Sequence, residues 1–549
     1  MLGRRGLIGQ TSLGLAALGL AGLGVGEGGA ALAAPQKKGD VQIAIAETSR
    51  GRVRGVINEG IRTFKGVPYG GPTEGANRFR VAKPAESWTG IRDAVAYGPM
   101  CPQEIRPRPS YAASWAVDQA MSEDCLILNV WTPALRDHHK RPVMVWFHGG
   151  GFSTGSGSNP VYDGTNLARK GDVVVVTVNH RLNIFGHLYL ARVGGTEFAE
   201  SGNLGVLDLI AALRWIHVNI AEFGGDPANV TIFGQSGGGA KVSVLMAMPP
   251  TRGLFHRAIV QSGSRLDGLT PDEANANTLA FLKAADIPPA DLARLQKMTL
   301  AQLMAALRKA MRAPGTPLDF SPVVDGKFLE RAPWIPDGPA CSANVPMMIG
   351  TTKTETTALI GAGDPSVFSL DDASLRKNLA AWIPANEIDR VIAGYRKSEP
   401  EASPSDLFFA ITSARRVRQQ AWVQAERKAA QNAAPVWLYE LDWQTPVDGG
   451  KWRSPHGLDL AFVFDNVAKS ASMVGHGDDT QPLAEQMSDA WLAFARTGNP
   501  NSKSLPQWGQ FRVPERTTMV FDAKSQTVND FRGDERRLLA SLPLYPVLR

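Results

Sequence analysis

Cysteine is scarce in this chain, at 3 of 549 residues. Three thiols cannot staple a disulfide-dense scaffold, and their spacing has no likeness to the paired ligands of a zinc site. Aromatic residues are thin at 8%, and no block of Lys and Arg is interleaved with them. The formal charge of +6 is scattered. That pattern describes a solvated basic surface and argues against a nucleic-acid partner. There is no internal repeat, and past the first thirty-odd residues neither a low-complexity linker nor a membrane span is read. What is present is ordinary globular material: 44% hydrophobic and 20% charged residues, enough for a large core.

The first 33 residues read as a leader rather than as part of the fold. Arg4 and Arg5 precede a charge-free Gly/Ala/Leu-rich stretch, and Ala31, Leu32 and Ala33 supply a small-x-small cleavage pattern. Paired arginines and a weakly apolar middle suggest twin-arginine export, with an ordinary secretory signal as the alternative. The expectation is an exported protein, periplasmic or extracellular, whose domain spans 34–549 with no stable membrane span after cleavage. In that compartment Cys101 and Cys125 can close a loop of about two dozen residues, worth roughly 3 kcal/mol in the chain-entropy account. Cys341 has no basic neighbour to activate it and reads as a buried, inert thiol rather than a nucleophile.

The most informative stretch is Gly234-Gln235-Ser236-Gly237-Gly238. It follows an apolar run, 230–233, and leads into a helix-like run, 240–248. A serine pinned by glycines between a buried strand and a helix is a nucleophile elbow, where the turn lifts the hydroxyl above the sheet edge. Ser153 lies in a second match to the same pattern, but within a Gly/Ser loop that no helix follows. Apolar runs at 141–147, 172–178, 258–260, 346–349 and 436–439 read as strands, and 205–219 reads as a helix. Strands alternating with helices predict an α/β fold with a mostly parallel sheet covered on both faces. Helix-rich segments at about 265–335 and 365–435 suit a cap.

A serine nucleophile needs a base, an acid to orient that base, and oxyanion donors. In chain order the acid and then the base should follow the serine. His456 sits at a Pro/Gly-marked turn before an apolar run, and His476 is its rival by position. Glu355 follows a strand and suits the acid, although pairing with Lys353 at the surface is the competing reading. In His148-Gly149-Gly150-Gly151-Phe152, directly after a strand, Gly149 and Gly150 join Gly237 as the expected backbone donors of an oxyanion hole.

These residues resemble the type-B carboxylesterases, relatives of the cholinesterases within the α/β-hydrolase fold. The resemblance runs from about Gly51 to Phe521. It is carried by FKGVPY at 64–69, SEDCLILNVW at 122–131, HGGGF at 148–152, GNLG at 202–205 and FGGDP at 223–227. QSG at 261–263, GTTKTE at 350–355, HGLDLAFVF at 456–464 and WLAFARTGNPN at 491–501 complete it.

The resemblance implies Ser236 as nucleophile, Glu355 as acid and His456 as base, with Ser262 in support beside the acid and base. It also implies a Cys101–Cys125 disulfide and salt bridges Arg78–Glu123 and Arg181–Asp208. No metal or organic cofactor is implied, and the oligomeric state is left open. The implied partner is a small-molecule ester, small or medium in size. Arg106 and Arg108 would suit an anionic or polycarboxylate ester. Lipase, amide or carbamate hydrolysis by the same residues is the alternative, and a non-catalytic cholinesterase-like binding protein is more remote. This chain departs from the family's usual residues in having Gly237 for alanine, which should loosen that neighbourhood. It also has Gln235 for glutamate, His180 for tyrosine, and Thr354 and Thr356 flanking Glu355.

Overall fold

A computed structural model describes residues 42–105, 109–314 and 318–545. The expected leader, Arg106 and Arg108 lie outside the described residues. Thirteen strands form one sheet: β1 (Ile43–Thr48), β2 (Gly51–Asn58), β3 (Ile61–Pro68), β4 (Ile91–Asp93), β5 (Ile127–Thr132), β6 (Arg141–Phe147), β7 (Val174–Val178), β8 (Gly225–Gln235), β9 (Arg257–Gln261), β10 (Met347–Thr352), β11 (Val436–Leu441), β12 (Thr518–Phe521) and β13 (Gln526–Val528). Their order is β1-β2-β3-β5-β7-β6-β8-β9-β10-β11-β12-β13, with β4 beside β2. From β7 across to β12 every pairing is parallel, while the pairings outside that block, β2–β4 excepted, are antiparallel.

β6, β7, β10 and β11 are buried at every position because both faces of the sheet are covered there. Along β6, Val143, Val145 and Phe147 enter one core, whereas Met144 and Trp146 enter the other. The same alternation holds for β8, where Ile232 faces the first core and Phe233 the second. On the second face the Trp146 ring meets Phe233 at 4.9 Å and Phe464 at 5.0 Å, both edge-on, the arrangement aromatic quadrupoles favour.

Helix α1 (Leu204–Asn219) packs its apolar residues into the first core. It belongs to a helical run, Thr196–Phe223, that is long and apolar enough to cross a membrane by length and composition. This corrects the reading that no segment after the leader has that character. Most of the run is buried inside the protein, so its hydrophobicity is spent on the core. Helix α2 (Gly237–Leu245) begins immediately after Ser236, earlier than the apolar run suggested, because the elbow delivers the chain directly into it.

Both segments expected to cap the sheet are helical. Thr270 with Glu273, Thr299 with Gln302, and Ser403 with Asp406 form reciprocal capping boxes that start three of these helices. Residues from Val367 to Ala414 build a separate apolar cluster with Leu539 and Leu542. This cluster meets the segment after β10, where Thr356 Oγ1 donates to the Phe409 carbonyl.

Both expected ion pairs are present and buried. Arg78 meets Glu123 at 2.5 Å and Arg181 meets Asp208 at 2.6 Å. The Asp208 carboxylate also accepts the Arg181 backbone N–H. The expected disulfide is corrected: Cys101 and Cys125 are buried free thiols. A hydrogen bond to Cys101, followed by burial, pushes the Cys125 thiol up. The Cys101 sulfur also accepts the Leu182 N–H at 3.2 Å, so the pair is satisfied as two thiols. Removing one partner of a buried ion pair strands the other charge, so Asp208→Asn should lose about 3–5 kcal/mol of stability, read as a lowered midpoint in urea unfolding.

Candidate active site

The last strand residue before the elbow is Gln235, at the carboxyl end of β8. Ser236 then takes φ 58° and ψ −125°, a sparsely populated conformation for a residue with a side chain. Its N–H donates to the Gln261 carbonyl on β9 at 2.8 Å, and its own carbonyl accepts the Ala240 N–H at 3.0 Å. Gly238 is required by crowding: a Cβ there would sit 1.9 Å from the Phe147 carbonyl oxygen at the end of β6.

Glu355 follows β10 and starts the short helix α3 (Glu355–Leu359). It is fully buried. One carboxylate oxygen accepts the Thr352 N–H at 2.9 Å. The other lies 2.5 Å from His456 Nδ1. His456 precedes helix α4 (Asp459–Val463) and is 9% exposed. Acid and base loops are stitched together directly, since Ser454 N–H donates to Thr354 Oγ1 at 2.9 Å and the Thr354 N–H donates back to the Ser454 carbonyl.

The rivals fall away on position. His476 is exposed. Lys353 faces Asp442 at 3.8 Å rather than Glu355. Ser153 sits in the turn that closes on the Gly150 carbonyl, with no helix after it.

The structure brings Glu355 and His456 together, but no hydrogen bond joins the Ser236 hydroxyl to the imidazole. The Gln235 side chain stands there instead, its Nε2 lying 3.2 Å from His456 Nε2. The same amide nitrogen lies 3.4 Å from Nδ1, so it rests beside both ring nitrogens rather than on the Nε2 lone pair.

Ser262 is buried at φ 48°, and its hydroxyl has no hydrogen-bond partner. Its N–H donates to the Gly350 carbonyl, so the residue couples β9 to β10 through backbone. Asp459, which sequence reasoning missed, is buried one turn after His456. It accepts from Gln261 Nε2 at 2.8 Å and from the Tyr439 hydroxyl at 3.1 Å. Burial pushes its carboxyl up to about 6.

The glycine loop directly follows β6. A Cβ on Gly149 would lie 3.4 Å from Ser236 Cβ, which places the loop against the nucleophile. Among the described residues, the amides of Gly149, Gly150 and Gly151 donate to no turn, loop or cap carbonyl. The looseness expected around Gly237 is corrected. A Cβ there would meet the Gly151 nitrogen at 2.3 Å and its Cα and oxygen at 2.4 Å. Gly151 backbone fills the space an alanine methyl would take, so Gly151 belongs to the site beside the three named glycines.

The carboxylesterase family model matches residues 42–537. The para-nitrobenzyl esterase of Bacillus subtilis (strain 168) is 35% identical over 502 residues, covering 90% of this chain and 98% of that protein. The phenmedipham hydrolase of Pseudarthrobacter oxydans is 34% identical, covering 87% and 94%. Among solved structures, the Geobacillus stearothermophilus carboxylesterase EST55 at pH 6.2 superposes with a TM-score of 0.79 at 40% identity, covering 90% of this chain and 99% of that one. A family match over nearly the whole length, on a mostly parallel sheet that ends in a strained serine elbow, makes this chain a member of the carboxylesterase family and a carboxylic ester hydrolase.

Proposed function

We propose that the chain hydrolyses small or medium organic esters through an acyl-enzyme formed on Ser236. His456 takes the Ser236 proton as the hydroxyl attacks the ester carbonyl, and Glu355 stabilises the resulting imidazolium. The tetrahedral oxyanion is held by backbone amides of the glycine loop and of Gly237. The imidazolium then protonates the departing alcohol, and water repeats the cycle on the acyl group.

The observation that carries this reading is the 2.5 Å contact between Glu355 and His456 Nδ1. It fixes the tautomer that leaves Nε2 as the proton acceptor. For Nε2 to serve Ser236, the Gln235 amide rotates aside as substrate enters. Export to the periplasm or beyond fits the composition of residues 1–33 and belongs to the same proposal.

The test is covalent and kinetic. An organophosphate should tag Ser236, and p-nitrophenyl acetate should give a burst of p-nitrophenol. Ser236→Ala should lose about 10⁶ in kcat, the scale seen when a serine nucleophile is removed, with its circular dichroism unchanged. Full activity retained in that variant would move the nucleophile elsewhere. In a panel of p-nitrophenyl esters varied in acyl length and charge, neutral short and medium acyl groups should turn over fastest.

A further inference from the structure

Lys241 lies in helix α2, little more than one turn after Ser236, and is fully buried. Its Nζ donates to the His148 carbonyl at 2.9 Å. His148 is the residue that leads from β6 into the glycine loop. The same nitrogen stands 5.7 Å from the ring of Phe152, at the loop's far end. Around it are imidazoles rather than carboxylates. His148 and His180 stack at 5.0 Å, and His187 meets Phe152 edge-on at 5.3 Å. Arg181, the nearby guanidinium, is already paired with Asp208. No salt bridge involves Lys241 among the described residues. Burial pulls its amine down to about 7, and burial together with the Lys241 charge holds His148 and His180 well below the usual imidazole range.

An amine kept in such a place is costly unless its hydrogen bond is used. An apolar residue would fill the position without that penalty. The His148 carbonyl belongs to the peptide whose other end is the Gly149 N–H, so whatever holds that oxygen sets the orientation of the loop's first amide. The other hydrogen bonds of the loop lead elsewhere: the Ser153 and Thr154 N–H groups close on the Gly150 carbonyl, His148 Nδ1 lies 2.8 Å from the Gly149 carbonyl, and Asn183 reaches the Phe152 carbonyl through its N–H and the Ser153 carbonyl through its side chain.

We propose that Lys241 is a positioning residue for the oxyanion loop: its N–H on the His148 carbonyl locks the peptide entering Gly149, Gly150 and Gly151 to the helix that carries the nucleophile. The inference rests on the esterase reading. Ammonium and amine both carry N–H groups, so the brace persists through loss of the proton. Loop amides act most strongly when the carbonyl oxygen becomes an anion, so loosening them should be felt in kcat rather than in KM.

The experiment compares Lys241→Met, Lys241→Gln and the wild type by kcat and KM on p-nitrophenyl acetate, affinity for a trifluoromethyl ketone and melting temperature. The ketone forms a tetrahedral oxyanion on the serine. The Met variant should lose about 10²-fold in kcat with KM changed by less than about twofold, and should bind the ketone correspondingly more weakly. The Gln variant, which keeps an N–H on a shorter stem, should recover part of both.

Wild-type kcat in a folded Met variant overturns the proposal. So does an equal loss in both variants with raised KM and lowered melting temperature, which marks packing alone. If the Met variant does not fold, Lys241→Ala, which also removes the donor, decides: a joint fall in kcat and ketone affinity at constant KM supports the brace, and wild-type values overturn it. Organophosphate labelling separates the two readings. A wild type left untagged at Ser236 sinks the esterase mechanism itself. Tagging with an unaffected Met variant sinks only the brace.

Discussion

Ser236 holds its left-handed backbone because three segments converge on it and leave no room for relaxation. The end of β6, the end of β8 and the first turn of α2 pack backbone to backbone, with Gly238 seated against the Phe147 carbonyl. Hydrogen bonds to the Gln261 carbonyl and from Ala240 clamp the serine on both sides. Since β6 runs straight on into the glycine loop, the contact that strains the nucleophile also sets where the loop stands. Gly151 against Gly237 closes the same circuit from the other side. Nucleophile and anion donors are therefore one packing unit.

Beside that unit, and in contrast to the unpaired Lys241, Arg418, Arg532, Glu440, Asp442 and Glu535 are buried as one network. Arg418 lies 2.9 Å from Glu440 on β11, and Arg532 approaches Glu440 at 2.8 Å and Glu535 at 2.9 Å. The Arg418 guanidinium also donates to the Lys353 carbonyl at 2.6 Å, two residues before the acid. Asp442, crowded by burial and by Glu440, has its carboxyl pushed up. The network thus pins the strand that leads to Glu355 without placing a guanidinium on the acid itself. Glu355 takes its hydrogen bonds from the Thr352 N–H and from His456. A cation bonded to that carboxylate would compete with the imidazolium for it.

Legibility from sequence followed locality. The strands at 141–147 and 436–439 were visible because a sheet buried on both faces needs unbroken apolar runs, and Ser236 was visible because its turn demands glycines at fixed offsets. Glu355 and His456 needed the family resemblance, since a pairing across a hundred positions leaves no periodic trace. The unpaired state of Cys101 and Cys125 was not legible, because spacing shows that a loop can close and not that the sulfurs bond. The tight seat of Gly237 was missed for a related reason: losing a methyl reads as looseness until the partner that moves into the space is known. Lys241 was hidden inside an apolar helix pattern, where a single long amphipathic side chain does not disturb the period.

Gln235 shows how one neutral substitution changes the logic of the base. A carboxylate at each imidazole nitrogen would favour the doubly protonated ring, because each charge attracts a proton to the nitrogen it faces. A carboxamide carries no charge, so it adds no such pull on the ring. Its nitrogen rests 3.2 Å from Nε2 and 3.4 Å from Nδ1, beside both ring nitrogens. The choice of tautomer is left to the Glu355 carboxylate, which lies 2.5 Å from Nδ1 and draws the ring's proton there. Nε2 then keeps a lone pair, which a serine hydroxyl can reach once the amide moves aside.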